Sequence, residues 1–212
     1  GFLFLVNTQD HDLGRHDQTD LQVKINLPGE TISIPEKGGF TLPKNVSTIF
    51  PFNLDMGGAL LKYATAPPLM IIDDNGTTHY FFSVHDGIVP EFVFDKETVK
   101  GKSEFKNIVP GFKSTFKVSP RGKKAIKVTV LPYADALNAT KVNGKLLITR
   151  ATVMPTDEGV KLLSLGEPDI DYIVYPSKQG FKTQTVSVEP VEPKASIDKS
   201  VPWRMEVTFT DR

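Results

Sequence analysis

Alternation of apolar and polar residues is the feature that most restricts how this chain can fold. In residues 21–27, LQVKINL, every second side chain is apolar, which places the apolar set on one face of a strand. The same alternation recurs at residues 32–34, 126–130, 170–174 and 205–209. The opening segment GFLFLV is also predicted to be a strand. These segments predict a protein built mainly from half-buried β-strands.

Residues that favour tight turns separate the predicted strands, among them Pro28-Gly29 and Asn143-Gly144. The clearest turn is Asn75-Gly76, which lies between the apolar segments LMII and HYFFSV. This pair can supply the two positive φ angles of a type I′ hairpin turn. Short strands at this spacing are typical of sandwiches and barrel-like β domains. We therefore predict an all-β fold, an antiparallel β-sandwich or sandwiches with one short helix.

One segment, residues 132–141 with the sequence PYADALNATK, favours a helix. Its proline is tolerated in a first turn and an alanine-rich segment follows, so we expect about three turns at most. The polar stretch at residues 95–104 separates two predicted subdomains. Residues 1–96 form a β-sandwich subdomain, and residues 97–212 form a second β-rich subdomain that contains the helix. One continuous domain is the alternative.

Composition disfavours several classes of partner. The chain has 25 basic and 25 acidic residues, and basic residues are concentrated only in short pairs such as Lys123-Lys124, so no nucleic-acid partner is predicted. It has no cysteine, which excludes disulfides and thiolate ligands. No apolar run approaches the ~20 residues that span a bilayer, and no membrane partner is predicted. GFLFLV lacks the features of a signal peptide. Because the chain begins inside a predicted hydrophobic strand and ends abruptly at EVTFTDR, we expect a piece of a longer chain, with the periplasm and the extracellular space as open alternatives for its location.

The octet DHDLGRHD, residues 10–17, concentrates histidines and aspartates. A metal site there would use the imidazoles of His11 and His16 with Asp12 or Asp17 as a carboxylate ligand. The spacing matches no zinc motif, and a loop between two strands does not fix ligand geometry unless further residues orient the ligands. We therefore predict a solvated loop and no metal site.

Two pairs of carboxylates are candidates for acid/base catalysis, since glycoside hydrolysis requires two carboxyl groups across the scissile bond. Asp73 and Asp74 adjoin the predicted Asn75-Gly76 turn, where we expect them to cap the turn and face solvent. Asp169 and Asp171 lie two residues apart and are expected on the outer, polar face of a strand. No catalytic residue is predicted from either pair.

The histidines and the nucleophile motifs also give no catalytic site. His79 and His85 flank YFFSV, so a regular strand would place them on one face but roughly 20 Å apart. The sequence contains no serine elbow of the G-x-S-x-G kind and no phosphate-binding glycine loop. No cofactor is predicted.

Sugar binding would require exposed aromatic rings on which a pyranose can stack, with polar groups nearby. Tyr63, Tyr175 and Trp203 are the candidate carbohydrate-binding residues. The structural alternative is that these rings, which lie within or near alternating apolar segments, belong to the core.

A longer pattern spans most of residues 2–175. In order, it contains GFLFLVN, LPGETISIP, PFNLDMGG, LKYATA and ADALNA. This order of segments resembles the β-sandwich region, the domain 2 type, that follows the catalytic barrel in family 35 β-galactosidases. The resemblance fades after about residue 176.

The resemblance implies an accessory β-domain of a β-galactosidase-like glycoside hydrolase, without catalytic activity of its own. Its partner would be the catalytic barrel of the same parent chain, and no residue here matches the family's catalytic motif. Residues 51–68 are the predicted contact surface, with burial in the domain's own core as the equal alternative. A carbohydrate-binding module and a self-contained hydrolase are the other functional hypotheses.

Overall fold

The computed structural model describes residues 1–8, 16–157, 159–164 and 166–188, and the backbone of residues 194–197 and 205–208. The predicted all-β class is confirmed, because strands dominate and nearly all pairings are antiparallel. The first strands are β1 (Phe2–Val6), β2 (Gln18–Leu21), β3 (Val23–Leu27), β4 (Glu30–Ile34), β5 (Phe40–Leu42), β6 (Ser47–Met56), β7 (Ala59–Ala64), β8 (Pro68–Asp74), β9 (Thr77–Val84), β10 (Phe92–Phe94) and β11 (Val99–Lys100).

The later elements begin with β12 (Glu104–Phe105) and a 3₁₀ turn at Phe112–Ser114. They continue with β13 (Phe116–Pro120), β14 (Ile126–Pro132), α1 (Tyr133–Ala136), β15 (Ala139–Val142), β16 (Lys145–Thr149), β17 (Thr152–Thr156), β18 (Gly159–Leu163), β19 (Asp169–Tyr175), β20 (Gln184–Ser187), β21 (Lys194–Ile197) and β22 (Met205–Thr208). Within the described ranges, no helix is long and apolar enough to cross a membrane.

Two five-stranded sheets form the sandwich. The first has the strand order β1-β6-β7-β10-β12 and the second has the order β11-β13-β14-β9-β8. The pair β14 and β9 is parallel, whereas their other neighbours are antiparallel. The main core contains Phe50, Leu61 and Phe92 from the first sheet and Phe82 and Val128 from the second.

The turn between β8 and β9 forms as the sequence predicts. Asn75 and Gly76 have φ angles of 53° and 78°, the left-handed values that a type I′ turn requires. The Gly76 N–H donates to Asp73 Oδ1 at 2.7 Å. Asp73 is therefore a turn-capping residue, as expected from its position.

The predicted helix over residues 132–141 is wrong in extent. Helix α1 has one turn, Tyr133–Ala136, and residues 139–142 instead form β15. Strand β15 pairs with β16 across Asn143-Gly144, both of which have positive φ. Local alanine content favoured a helix, but the ladder formed by the following hairpin determines the conformation of this segment.

The chain divides into two compact units at a different place from the predicted division at residues 96 and 97. The first unit comprises Gly1–Ile148 and Val174–Lys182, and the second comprises Thr149–Ile173 and Thr183–Arg212. Residue 96 lies inside the first unit because β10 pairs with both β7 and β12, on either side of that position. The second unit contains the hairpin of β17 and β18, the pairing of β19 with β20, and the pairing of β21 with β22.

Candidate functional site

Strand β9 is buried on both of its faces, and this position in the sheet creates a polar cluster. Phe82 belongs to the main core, whereas His79 and Phe81 point to the opposite face of the sheet. His79 is 0% exposed. Its neighbours in register are Lys127 on β14 and Ile72 on β8. A fully buried imidazole must find partners for both ring nitrogens.

Both nitrogens of His79 are hydrogen-bonded. Nδ1 lies 2.9 Å from Tyr175 Oη, and Nε2 lies 2.8 Å from Thr129 Oγ1. Tyr175 donates its single hydroxyl hydrogen to Asp74 Oδ2 at 2.6 Å, so its oxygen accepts from His79. His79 is therefore protonated on Nδ1 and accepts from Thr129 at Nε2.

The cluster extends at both ends. Thr115 Oγ1 lies 2.6 Å from Thr129 Oγ1 and 3.2 Å from the Phe112 carbonyl oxygen. Since the hydrogen of Thr129 is used by His79, Thr115 donates its single hydrogen to Thr129, the nearer of the two oxygens. At the other end, Lys127 Nζ donates to Asp74 Oδ2 at 2.5 Å. The chain of hydrogen bonds has one direction from Thr115 to Asp74.

Electrostatics agree with a neutral imidazole. Burial, followed by the positive charge of Lys127, lowers the pKa of His79 to about 4, although Asp74 opposes the shift. The hydrogen bonds from Lys127 and Tyr175 lower the pKa of Asp74 below its usual value. Burial and the hydrogen bond to Asp74 raise the pKa of the Tyr175 hydroxyl. At neutral pH, the cluster holds one ion pair and an uncharged histidine.

Aromatic rings cover the cluster. Phe81 stacks on His79 with ring centroids 4.2 Å apart. Tyr175 and Phe181 stack at 4.2 Å, and Phe112 stacks on Phe181 at 4.8 Å. Tyr175 and Phe181 belong to residues 174–182, which return to the first unit. Stacking and hydrogen bonding together attach this return segment to the sheet.

This arrangement fits a structural role better than a catalytic one. His79 has no exposed surface and no free nitrogen, so it cannot transfer a proton to a solvent-borne substrate without opening the cluster. Its bonds join β9, β14 and the end of β19. The cluster fixes the position of the return segment.

The predicted sugar-binding rings are enclosed. Tyr63 is 2% exposed and Tyr175 is 6% exposed, so neither offers a ring face for stacking. The Tyr63 hydroxyl donates to Glu91 and accepts the backbone N–H of Glu36 at 2.8 Å. Trp203, the third candidate, lies outside the described residues.

The second carboxylate pair is part of a strand ladder. Asp169 accepts from the Ser187 hydroxyl, and Asp171 accepts from the Thr185 hydroxyl, both at 2.6 Å. These bonds link the exposed face of β19 to the edge strand β20. They account for both carboxylates as surface residues of the strand pair.

His85 is separate from the cluster. His85 follows β9 and stacks on Tyr133 at 3.7 Å, so it contacts different groups from His79. Most of the octet, including His11 and Asp12, lies outside the described residues, while Asp17 accepts the Lys44 N–H at 2.8 Å. Among the residues that the structure describes, no group of three or more histidines, aspartates and glutamates could hold a metal.

Sequence reasoning missed Asp74 and the linkage of His79 to Tyr175. Asp74 was assigned to the turn with Asp73, but alternate residues of a strand face opposite sides. Asp74 therefore shares a face with His79. One sequence pattern could have revealed the cluster: the polar residues Lys127 and Thr129 alternate with core residues in β14. This alternation indicates a second face of the strand that carries hydrogen bonds.

A different surface remains open on β1, at the edge of the first sheet. Leu3 and Leu5 pack against the main core, whereas Phe2, Phe4 and Val6 are exposed, with Phe4 68% exposed. We call these three residues the β1 apolar face. Three large apolar side chains in a row on an edge strand are unusual for a surface without a partner.

Comparison with known proteins adds no assignment. No family model matches this chain, and a search of the curated proteins found no match.

Proposed function

We propose that this chain is a non-catalytic accessory β-sandwich of a β-galactosidase-like glycoside hydrolase, which packs against and supports a catalytic barrel. The family assignment comes from the order of segments that resembles the domain 2 region of family 35 enzymes. The structural observation that carries the docking role is the β1 apolar face.

The β1 apolar face is suited to bury against another domain. Its residues are opposite Pro51, Ile49 and Ser47 of β6. Pro51 is buried, Ile49 is half-buried and Ser47 is polar, so the apolar surface extends onto β6 only at Ile49. Burying a phenylalanine side chain contributes roughly 1.5 to 3 kcal/mol. A partner domain that covers this face would gain stabilisation from each ring.

The predicted contact surface at residues 51–68 does not serve this purpose. These residues form the end of β6, the whole of β7 and the approach to β8, and Met56, Leu61 and Ala64 are buried in the main core. The alternative that they fill the domain's own core is what the structure supports. The proposed contact with the barrel is therefore the β1 apolar face.

The hydrolase alternative requires two reactive carboxylates at an accessible site. Asp73, Asp169 and Asp171 hold turns or strand edges, and Asp74 is bound to Lys127 and Tyr175. The carbohydrate-binding alternative requires open rings, which Tyr63 and Tyr175 do not provide. Neither alternative has an observation in its favour.

The first experiment is to sequence the full gene product and to titrate this chain into the barrel of the same polypeptide. We expect an upstream barrel with paired glutamates and saturable binding by calorimetry. The Phe4→Asp variant should bind about thirtyfold more weakly, because about 2 kcal/mol of ring burial is lost.

Leu137→Asp is the matched control, since Leu137 is 67% exposed and lies outside β1. It should bind as the wild type does. A gene product without a barrel would overturn the proposal. Turnover of chromogenic galactosides by this chain alone, abolished by one carboxylate substitution, would also overturn it.

A further inference from the structure

An open groove in the first unit combines an aromatic floor with lysine side chains. Its volume is about 920 Å³, and it is open to solvent. The lining includes four phenylalanines: Phe105, Phe112, Phe116 and Phe181. Phe105 stacks on Phe116 at 4.2 Å, and Phe112 stacks on Phe181 at 4.8 Å. The two stacked ring pairs form the apolar surface of the groove.

Three lysines, Lys102, Lys106 and Lys113, also line the groove. Lys106 pairs with Glu104 at 3.3 Å. Lys102 lies over the Phe105 ring at 5.0 Å, and within the described part of the chain neither Lys102 nor Lys113 forms an ion pair. Among the described residues that line the groove, none is acidic. Two uncompensated positive charges beside apolar walls favour an anion.

The other polar groups of the lining are already used. The Ser114 hydroxyl donates to the Gly111 carbonyl at 2.5 Å, and the Thr115 hydroxyl bonds to Thr129. The lining residues that the structure describes include no asparagine, glutamine or carboxylate that could orient sugar hydroxyls. Apolar rings beside two lysines without an ion pair favour a ligand with an apolar body and one anionic group.

We propose that this groove binds a small amphipathic anion, an aryl or acyl carboxylate. The apolar body lies between the two phenylalanine pairs, and the carboxylate lies near the ammonium groups of Lys102 and Lys113. This site is independent of the β1 apolar face and does not rest on the accessory-domain proposal.

The test is calorimetric titration of the full chain with phenylbutyrate and with its neutral amide, phenylbutyramide. We expect saturable binding of phenylbutyrate at millimolar concentration, weaker binding of the amide, and weakening of phenylbutyrate binding by salt. The double variant Lys102→Gln/Lys113→Gln should bind phenylbutyrate roughly tenfold more weakly, because two exposed charge interactions are lost.

Lys24→Gln is the control, since Lys24 is an exposed lysine on β3 outside the groove. It should leave the affinity unchanged. Phe112→Ala should also weaken binding, with circular dichroism to verify its fold. Chemical-shift changes of the wild-type chain should map to the lining and give a readout that needs no variant. Equal affinity for acid and amide, an unchanged double variant, shifts elsewhere, or no binding would overturn the proposal.

Discussion

At the central strands β9 and β14, both faces of the second sheet are buried, but different interactions hold them. On one face, Phe82 and Val128 pack in the main core against side chains of the first sheet. On the other face, His79 and Thr129 form directional hydrogen bonds, and Tyr175 closes the cluster. The stability of the first face depends on how well the side chains fill the core. The stability of the second depends on the direction of individual hydrogen bonds.

This difference shows how one sheet can build a sandwich and also anchor a distant segment. Apolar packing tolerates exchanges between side chains of similar size. A hydrogen-bonded cluster does not, because each unpaired buried group carries a desolvation cost. The polar face therefore defines where residues 174–182 sit, while the apolar face supplies most of the stability.

The largest effect should come from the apolar face. Phe82→Ala removes a ring that contacts Phe92 at 4.8 Å and should lower the free energy of unfolding by about 3 to 5 kcal/mol. Phe82→Leu should lose a smaller part. Urea unfolding followed by circular dichroism measures both. A loss below about 1 kcal/mol for the alanine variant would contradict the comparison.

The second-largest effect should be a loss of folding stability at acid pH, which comes from the polar face of the sheet. His79 has a pKa of about 4 in the folded chain against 6.5 in its ordinary state, so the unfolded chain binds more protons between these values. Stability should therefore fall as pH decreases from about 6.5 to 4, on the order of 3 kcal/mol. The contribution of Asp74, whose folded pKa is lowered, is lost only at still lower pH.

The comparison variant for the acid prediction is His79→Gln, measured by urea unfolding at each pH. His85 remains in both proteins and contributes equally. The variant should lose less stability than the wild type over this window. Parallel pH profiles for the two proteins would show that His79 is not the titrating group.

Removal of one hydroxyl should have a moderate effect. Tyr175→Phe leaves the Nδ1–H of His79 without an acceptor and should cost about 2 kcal/mol. Tyr172→Phe is a matched change on the same strand, where the hydroxyl makes one longer bond of 3.2 Å to Gln184. That control should cost roughly 0.5 kcal/mol. Thermal and urea unfolding measure the stability of both variants. Equal losses of stability would contradict a special role for the Tyr175 hydroxyl.

The smallest effect should come from the partly exposed edge of the cluster. Lys127→Met removes the ion pair to Asp74, and an exposed or partly exposed pair contributes about 0.5 to 1 kcal/mol. The same variant should raise the pKa of His79, since the charge of Lys127 lowers it. Urea unfolding and an NMR titration measure the two effects. A large loss of stability with an unchanged His79 pKa would contradict this account.

The sequence predicts the strands better than it predicts the cluster. Alternation located β3, β4, β14 and β19, and Asn75-Gly76 located a turn, because these patterns are local. The helix at residues 132–141 was overestimated because pairing of β15 with β16 overrides local propensity. The bonds of His79 to Thr129 and Tyr175 span 50 and 96 residues. No local pattern shows which distant segment will cover a polar face.

The most direct test of the structural role of the cluster is an NMR titration of the His79 ring nitrogens. We predict protonated Nδ1 and unprotonated Nε2 at neutral pH, with the ring remaining neutral until about pH 4. Protonation of both nitrogens near pH 6.5, or a hydrogen on Nε2 at neutral pH, would contradict the closed cluster and reopen the case for His79 as an accessible base.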